Sequence, residues 1–89
     1  MAEIFESVFD AIADSPEEAL NMKLRTALIG EIRIKVVAAG WTQKKTAHQL
    51  GITQPRVSDL LRGKLSKFSL DALVNMLARL GSEVELKVA

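Results

Sequence analysis

The chain has 89 residues, 48% of them hydrophobic, enough for one small domain with a single core. It has no cysteine, which excludes disulfides and thiol chemistry and fits a reducing cytoplasm, and its apolar runs fall far short of the ~20 residues that span a bilayer. The net charge of +1 conceals a division: residues 1–20 carry six acids and no base, unlike a signal peptide, while the remainder is basic. Between Trp41 and Phe68, Lys44, Lys45, Arg56, Arg62, Lys64 and Lys67 stand against a single acid, Asp59, a concentration of positive charge that suits a polyanion.

In chain order, residues 3–12 (EIFESVFDAI) place Ile4, Phe5, Val8, Phe9 and Ile12 at helical spacing. This predicts a short amphipathic helix that either caps the core of its own domain or docks onto another protein. Ser15-Pro16-Glu17-Glu18 is a helix start. Ser15 suits the N-cap, Pro16 the first helical position, and Glu18 completes a capping box. The helix runs from Pro16 to about Ala39, with Leu20, Leu24, Ala27, Leu28, Ile32, Val36 and Ala39 as its apolar positions, and Gly40 ends it.

The stretch WTQKKTAHQLGITQPRVSDLLRG, Trp41 to Gly63, reads as two short helices, roughly Thr42–Leu50 and Thr53–Leu61, joined at Gly51. Glycine enters the left-handed conformation that stops a helix at no steric cost. Ile52 anchors the turn, Thr53 caps the second helix, and Pro55 falls in its first turn, where a missing N–H is harmless. Ala47 is small enough to let the helices cross closely, and Val57, Leu60 and Leu61 give the second helix an apolar stripe. This is the layout of a helix-turn-helix, whose second helix enters the DNA major groove.

After Gly63 comes a basic connector, Lys64 to Phe68, with Phe68 as a core plug. Ser69 caps a last helix with an apolar face of Leu70, Leu73, Val74, Leu77, Ala78 and Leu80, ending at Gly81. In the tail, Val84, Leu86 and Val88 alternate with Glu83, Glu85 and Lys87, the pattern of a strand with one apolar face. A lone strand leaves its backbone groups unpaired, and no other strand is evident in the chain. The tail is therefore expected to pair with the same strand of a second copy. The organisation expected is an acidic N-terminal segment over 1–14, a helix-turn-helix domain over 15–81, and a dimerisation strand over 82–89.

On these residues the chain resembles a known family. TQKKTAHQLGITQPRVSDLLRG looks like the lambda-repressor/Cro-like (XRE) helix-turn-helix, of the form T-Q-x-x-x-A-x-x-x-G-I-x-Q-x-x-V-S. The match is close over Trp41–Gly63 and extends to about Gly81. It implies an all-α, five-helix domain, here with a short C-terminal β-strand paired in a homodimer. It also implies a DNA-binding transcriptional repressor acting on an inverted-repeat operator. The SPEEA start, the PRVSDLLRGKLSKFSLD run and the strand-like tail resemble a subgroup common among antitoxins. That likeness implies an alternative in which a small toxin protein, a ribonuclease, is the main partner and DNA binding serves autoregulation.

For base contact the candidates are Gln54, Pro55, Arg56, Ser58 and Asp59. Gln54 matches the position where the family places a base-reading glutamine, whose amide suits adenine N6 and N7. Arg56 can address guanine O6 and N7, or else a phosphate or a surface ion pair, and Pro55 can touch a thymine methyl. Asp59 would face a base donor, pair with Arg62, or point away. For phosphate contact the candidates are Thr42, Gln43, Lys44, Thr53, Arg62, Lys64 and Lys67. The family resemblance implies that Gln43 holds a phosphate and braces Gln54. Val84, Leu86 and Val88 are the dimerisation residues. His48, the single histidine, has no cysteine or acid cluster to complete a metal site and is expected at the surface. Trp41 is expected as a core or hinge packer, and Lys45 as a solvated residue. No nucleophile–base pair, phosphate loop or cofactor motif points to an enzyme. The expected location is cytoplasmic, on the nucleoid, with no membrane contact.

Overall fold

Each helix is started by a short hydroxylated side chain that supplies an acceptor for an otherwise unpaired N–H. Ser15 Oγ accepts from the Glu18 N–H at 3.1 Å, Thr42 Oγ1 from Lys45 at 3.1 Å, Thr53 Oγ1 from Arg56 at 3.4 Å, and Ser69 Oγ from Ala72 at 3.2 Å. In the computed structural model, which describes residues 15–89, these caps open α1 (Pro16–Ala39), α2 (Gln43–Leu50), α3 (Gln54–Leu61) and α4 (Leu70–Arg79). A single 3-10 turn, Leu65–Lys67, joins α3 to α4. The expected helix over residues 3–12 and the acidic segment 1–14 lie outside the described residues. Among those described, the helix count is therefore four rather than five.

The long α1 is the spine. It packs along α4, and α2 and α3 pack on each other and against this pair. The core draws Ile29, Ile32 and Val36 from α1, Leu50 from α2, Leu60 from α3, and Leu73, Met76 and Leu77 from α4, with Phe68 plugging the approach to α4. Leu28, Ile52, Leu61, Leu65, Ala72 and Leu80 pack around it half-buried.

Two apolar faces differ from the sequence reading. On α1, Ile32 and Val36 are buried as expected, but Leu20, Leu24, Ala27 and Ala39 are exposed while Ala19 and Ile29 are buried. The helix carries apolar residues nearly all the way round, so spacing alone does not select the buried side; the position of α4 does. On α4, Leu73 and Leu77 are buried with Met76, whereas Val74 and Ala78 face solvent.

The tail also differs. No strand forms among the described residues, and residues 82–89 have no ladder partner. A β-bridge needs a second backbone at about 4.8 Å, and no segment of the described chain pairs with the tail to provide one. Val84, Leu86 and Val88 are all exposed.

Candidate nucleic-acid interface

The geometry of the site begins at Gly51. Its φ of +71° turns the chain out of α2, and the Ile52 N–H then returns to the Ala47 carbonyl at 3.0 Å. That bond closes α2 and sets the direction in which Thr53 starts α3. Ala47 and Thr46 are buried where the two helices meet, and Thr46 Oγ1 donates to the Thr42 carbonyl at 2.8 Å, so this buried hydroxyl is satisfied. Val57 and Leu60 are wholly buried and Leu61 half-buried, which fixes the rotation of α3 about its axis.

That rotation decides what α3 presents. Gln54, Pro55 and Arg56 form its exposed first turn, while Ser58 and Asp59 are half-buried. Gln43 and Lys44 are exposed in the first turn of α2. The hydroxyls of Thr42 and Thr53 are engaged as caps, so the two threonines serve the helix starts first. Arg62 is exposed just past α3, and Lys64 and Lys67 are exposed in the connector. The Gly63 N–H bonds to the Leu60 carbonyl at 3.0 Å and the Lys64 N–H to the Asp59 carbonyl at 3.0 Å, holding the connector against the end of α3. The structure thus gathers Gln54, Pro55, Arg56, Asp59 and Lys64 on one helix and its exit, whereas Val84, Leu86 and Val88 lie in the tail beyond α4.

Asp59 reaches Arg56 and Lys64, each at 3.6 Å, where the expectations were a base donor, a pair with Arg62 or an outward orientation. His48 is exposed, and among the described residues no three His, Cys, Asp or Glu side chains come together as a metal site. Trp41 is half-buried, with Lys45 Nζ 6.0 Å from its ring centroid, the outer limit of a cation–π contact.

Two arginines that the sequence reading passed over hold these elements in place. Arg25 of α1 donates through Nη1 to the Leu65 carbonyl at 2.8 Å and the Phe68 carbonyl at 3.5 Å, tying down the turn that carries Lys67; its Nε is buried without a hydrogen-bond partner among the described residues. Arg79 of α4 donates to the carbonyls of Gln49 (3.0 Å) and His48 (3.4 Å), closing the C-terminal end of α2. Arg25 has a signal only once the buried side of α1 is known: it stands four and seven residues before Ile29 and Ile32, where a charge calls for a partner. Arg79 had none, since a basic last turn reads as an ordinary surface feature.

This arrangement defines a class: two capped helices about a left-handed glycine, with a polar first turn on the second helix and cations around it. Comparison with known proteins places the chain more closely. A family model described as a helix-turn-helix domain matches residues 11–89. A solved structure assigned by name to the XRE family of transcriptional regulators aligns with a TM-score of 0.72 and 30% sequence identity over 78% of each chain. Comparison with curated protein sequences finds no significant match. The chain belongs to the XRE-type helix-turn-helix family.

Proposed function

We propose that this protein is a sequence-specific DNA-binding transcriptional regulator, a repressor that acts as a homodimer on an inverted-repeat operator in the cytoplasm. The observation that carries the reading is the exposed first turn of α3. Gln54, Pro55 and Arg56 stand clear of the core there, on a helix whose other side is locked by Val57 and Leu60. A glutamine amide addresses adenine and a guanidinium addresses guanine, so this turn can read base edges, with Ser58 beside it. Gln43, Lys44, Arg62, Lys64 and Lys67, with the N–H groups that follow Thr42 and Thr53, would grip phosphates and set the register. Consistent with a site away from membranes, no helix among the described residues is long and apolar enough to cross one.

A single unit of this size contacts too little DNA for strong specificity, which favours two copies with recognition helices roughly 34 Å apart. The tail is the proposed means. Val84, Leu86 and Val88 are exposed on a tail that has no regular structure in the single chain, and pairing with a second tail would bury them and satisfy both backbones. Because Leu86 is 82% exposed in the single chain, Leu86→Asp should leave folding intact and shift the protein to monomers in sedimentation.

Footprinting on the promoter of the chain's own gene tests the main reading. Wild type should protect an inverted repeat, and Gln54→Ala should need roughly tenfold more protein for the same protection. Equal protection by both would remove Gln54 from the readout. The second reading, an antitoxin, is favoured by the acidic and apolar composition of residues 1–14. Deleting them should then abolish binding to a neighbouring gene's basic ribonuclease while DNA binding persists.

A further inference from the structure

Asp59 is the single acid between Trp41 and Phe68, and it sits on α3 behind the turn proposed to read bases. Its carboxylate is shared between two cations. Oδ2 lies 3.6 Å from Arg56 Nη1, one helical turn earlier, and Oδ1 lies 3.6 Å from Lys64 Nζ on the connector. The acid side chain is 20% exposed, the two cations 46% and 47%, so the carboxylate is set deeper than the groups it holds. Its backbone carbonyl also takes the Lys64 N–H at 3.0 Å, which keeps the connector cation within reach.

Ion pairs this open to solvent contribute little to stability. On a face meant for DNA, a carboxylate also weakens binding to every phosphate by cancelling positive charge. Its position nonetheless has one clear physical consequence. A free guanidinium on a flexible stem binds any phosphate it meets. One paired with a carboxylate beside one of its nitrogens is biased toward a single side, with its remaining N–H groups turned away from the acid.

We propose that Asp59 is a positioning residue for specificity: it orients Arg56 toward a guanine edge and restrains Arg56 and Lys64 from indiscriminate phosphate binding. This rests on the DNA-binding reading above. Asp59 then makes no base contact of its own. Its contribution lies in the ratio of specific to non-specific binding rather than in affinity.

The test uses the full chain and a duplex library of randomised sequence, selected separately with wild type, Arg56→Ala, Asp59→Asn and Asp59→Glu. Affinities for the duplex selected by wild type and for a scrambled duplex are then measured across salt concentrations. Wild type should select a guanine that Arg56→Ala no longer prefers. Asp59→Asn should bind the scrambled duplex more tightly than wild type does, with a salt slope steeper by about 1–2. Its selected-to-scrambled ratio should fall roughly five- to tenfold and its guanine preference should flatten. Asp59→Glu, which can restore the pair, should recover most of the ratio. An unchanged ratio in Asp59→Asn overturns the proposal. So does equal weakening on both duplexes, the mark of a merely structural role. A wild-type protein that selects no motif would instead remove the DNA-reading itself, and the proposal with it.

Discussion

Gly51→Ala isolates the turn on which the recognition helix depends. At φ +71° an added Cβ meets the following carbonyl, a penalty of about 1–2 kcal/mol. Stiffening of the unfolded chain offsets this by roughly 0.4–1 kcal/mol, leaving about 1 kcal/mol of destabilisation. Gly40→Ala at φ +67° carries the same backbone cost, and its Cβ meets nothing within 4 Å, so it serves as the reference. At Gly51 the new methyl would stand 3.0 Å from Arg79 Cζ and 3.1 Å from Arg79 Nε. The guanidinium must move a few tenths of an ångström, and it is the group that donates to the carbonyls of Gln49 and His48. Loosening these partly solvated bonds adds up to about 1 kcal/mol. Gly51→Ala should therefore cost about 2 kcal/mol against about 1 for Gly40→Ala, a difference in Tm of roughly 4–8 °C for a chain of this size. Unfolding followed by far-UV circular dichroism measures both. In an Arg79→Ala background the excess at Gly51 should vanish, giving a coupling of about 1 kcal/mol. Equal costs at the two glycines, or no coupling with Arg79, would refute the reasoning.

Three further outcomes are expected. Leu60→Ala empties a wholly buried position between α3 and the core and should cost about 2–5 kcal/mol in chemical denaturation, a large share of the stability of a domain this small. Arg25→Met keeps the packing of the stem and removes the bonds to Leu65 and Phe68. It should increase amide exchange across Leu65–Phe68 while leaving α2 and α3 protected, and unchanged exchange there would show that Arg25 does not hold the turn. Lys67→Gln should lower the log–log salt slope of DNA binding by about 0.9, measured by titration at several salt concentrations, and an unchanged slope would remove Lys67 from the phosphate contacts.

The legible parts of the molecule are those set by neighbours along the chain. Ser15, Thr53 and Ser69 each cap the helix that the sequence assigns to them, and Thr42 does the same ahead of α2, because a short hydroxyl three residues ahead of an N–H needs no tertiary help. Gly40 and Gly51 stop helices for an equally local reason. The core side of α3 was readable too, since Val57 and Leu60 leave one apolar stripe and hence one polar turn, the one bearing Gln54 and Arg56. The face of α1 was not readable. Leu20 and Leu24 have the same apolar character as Ile29 and Ile32, and only the arrival of α4 separates them. The tail's alternation was visible, but a ladder needs a second backbone, and its pattern alone could not supply one within the chain.

The sequence by itself determined where each described helix begins and ends, where the chain turns, and which side chains are available at the start of α3. Caps, left-handed glycines and helical spacing act over three or four residues, so they need nothing from the rest of the fold. The tertiary structure decided how these pieces are held. Arg79 reaches back about thirty residues to close α2, and Arg25 reaches forward about forty to tie the connector. Such partners are separated along the chain and meet only after the core has formed, because long flexible cations take their geometry from whatever carbonyl or carboxylate the packing brings within reach.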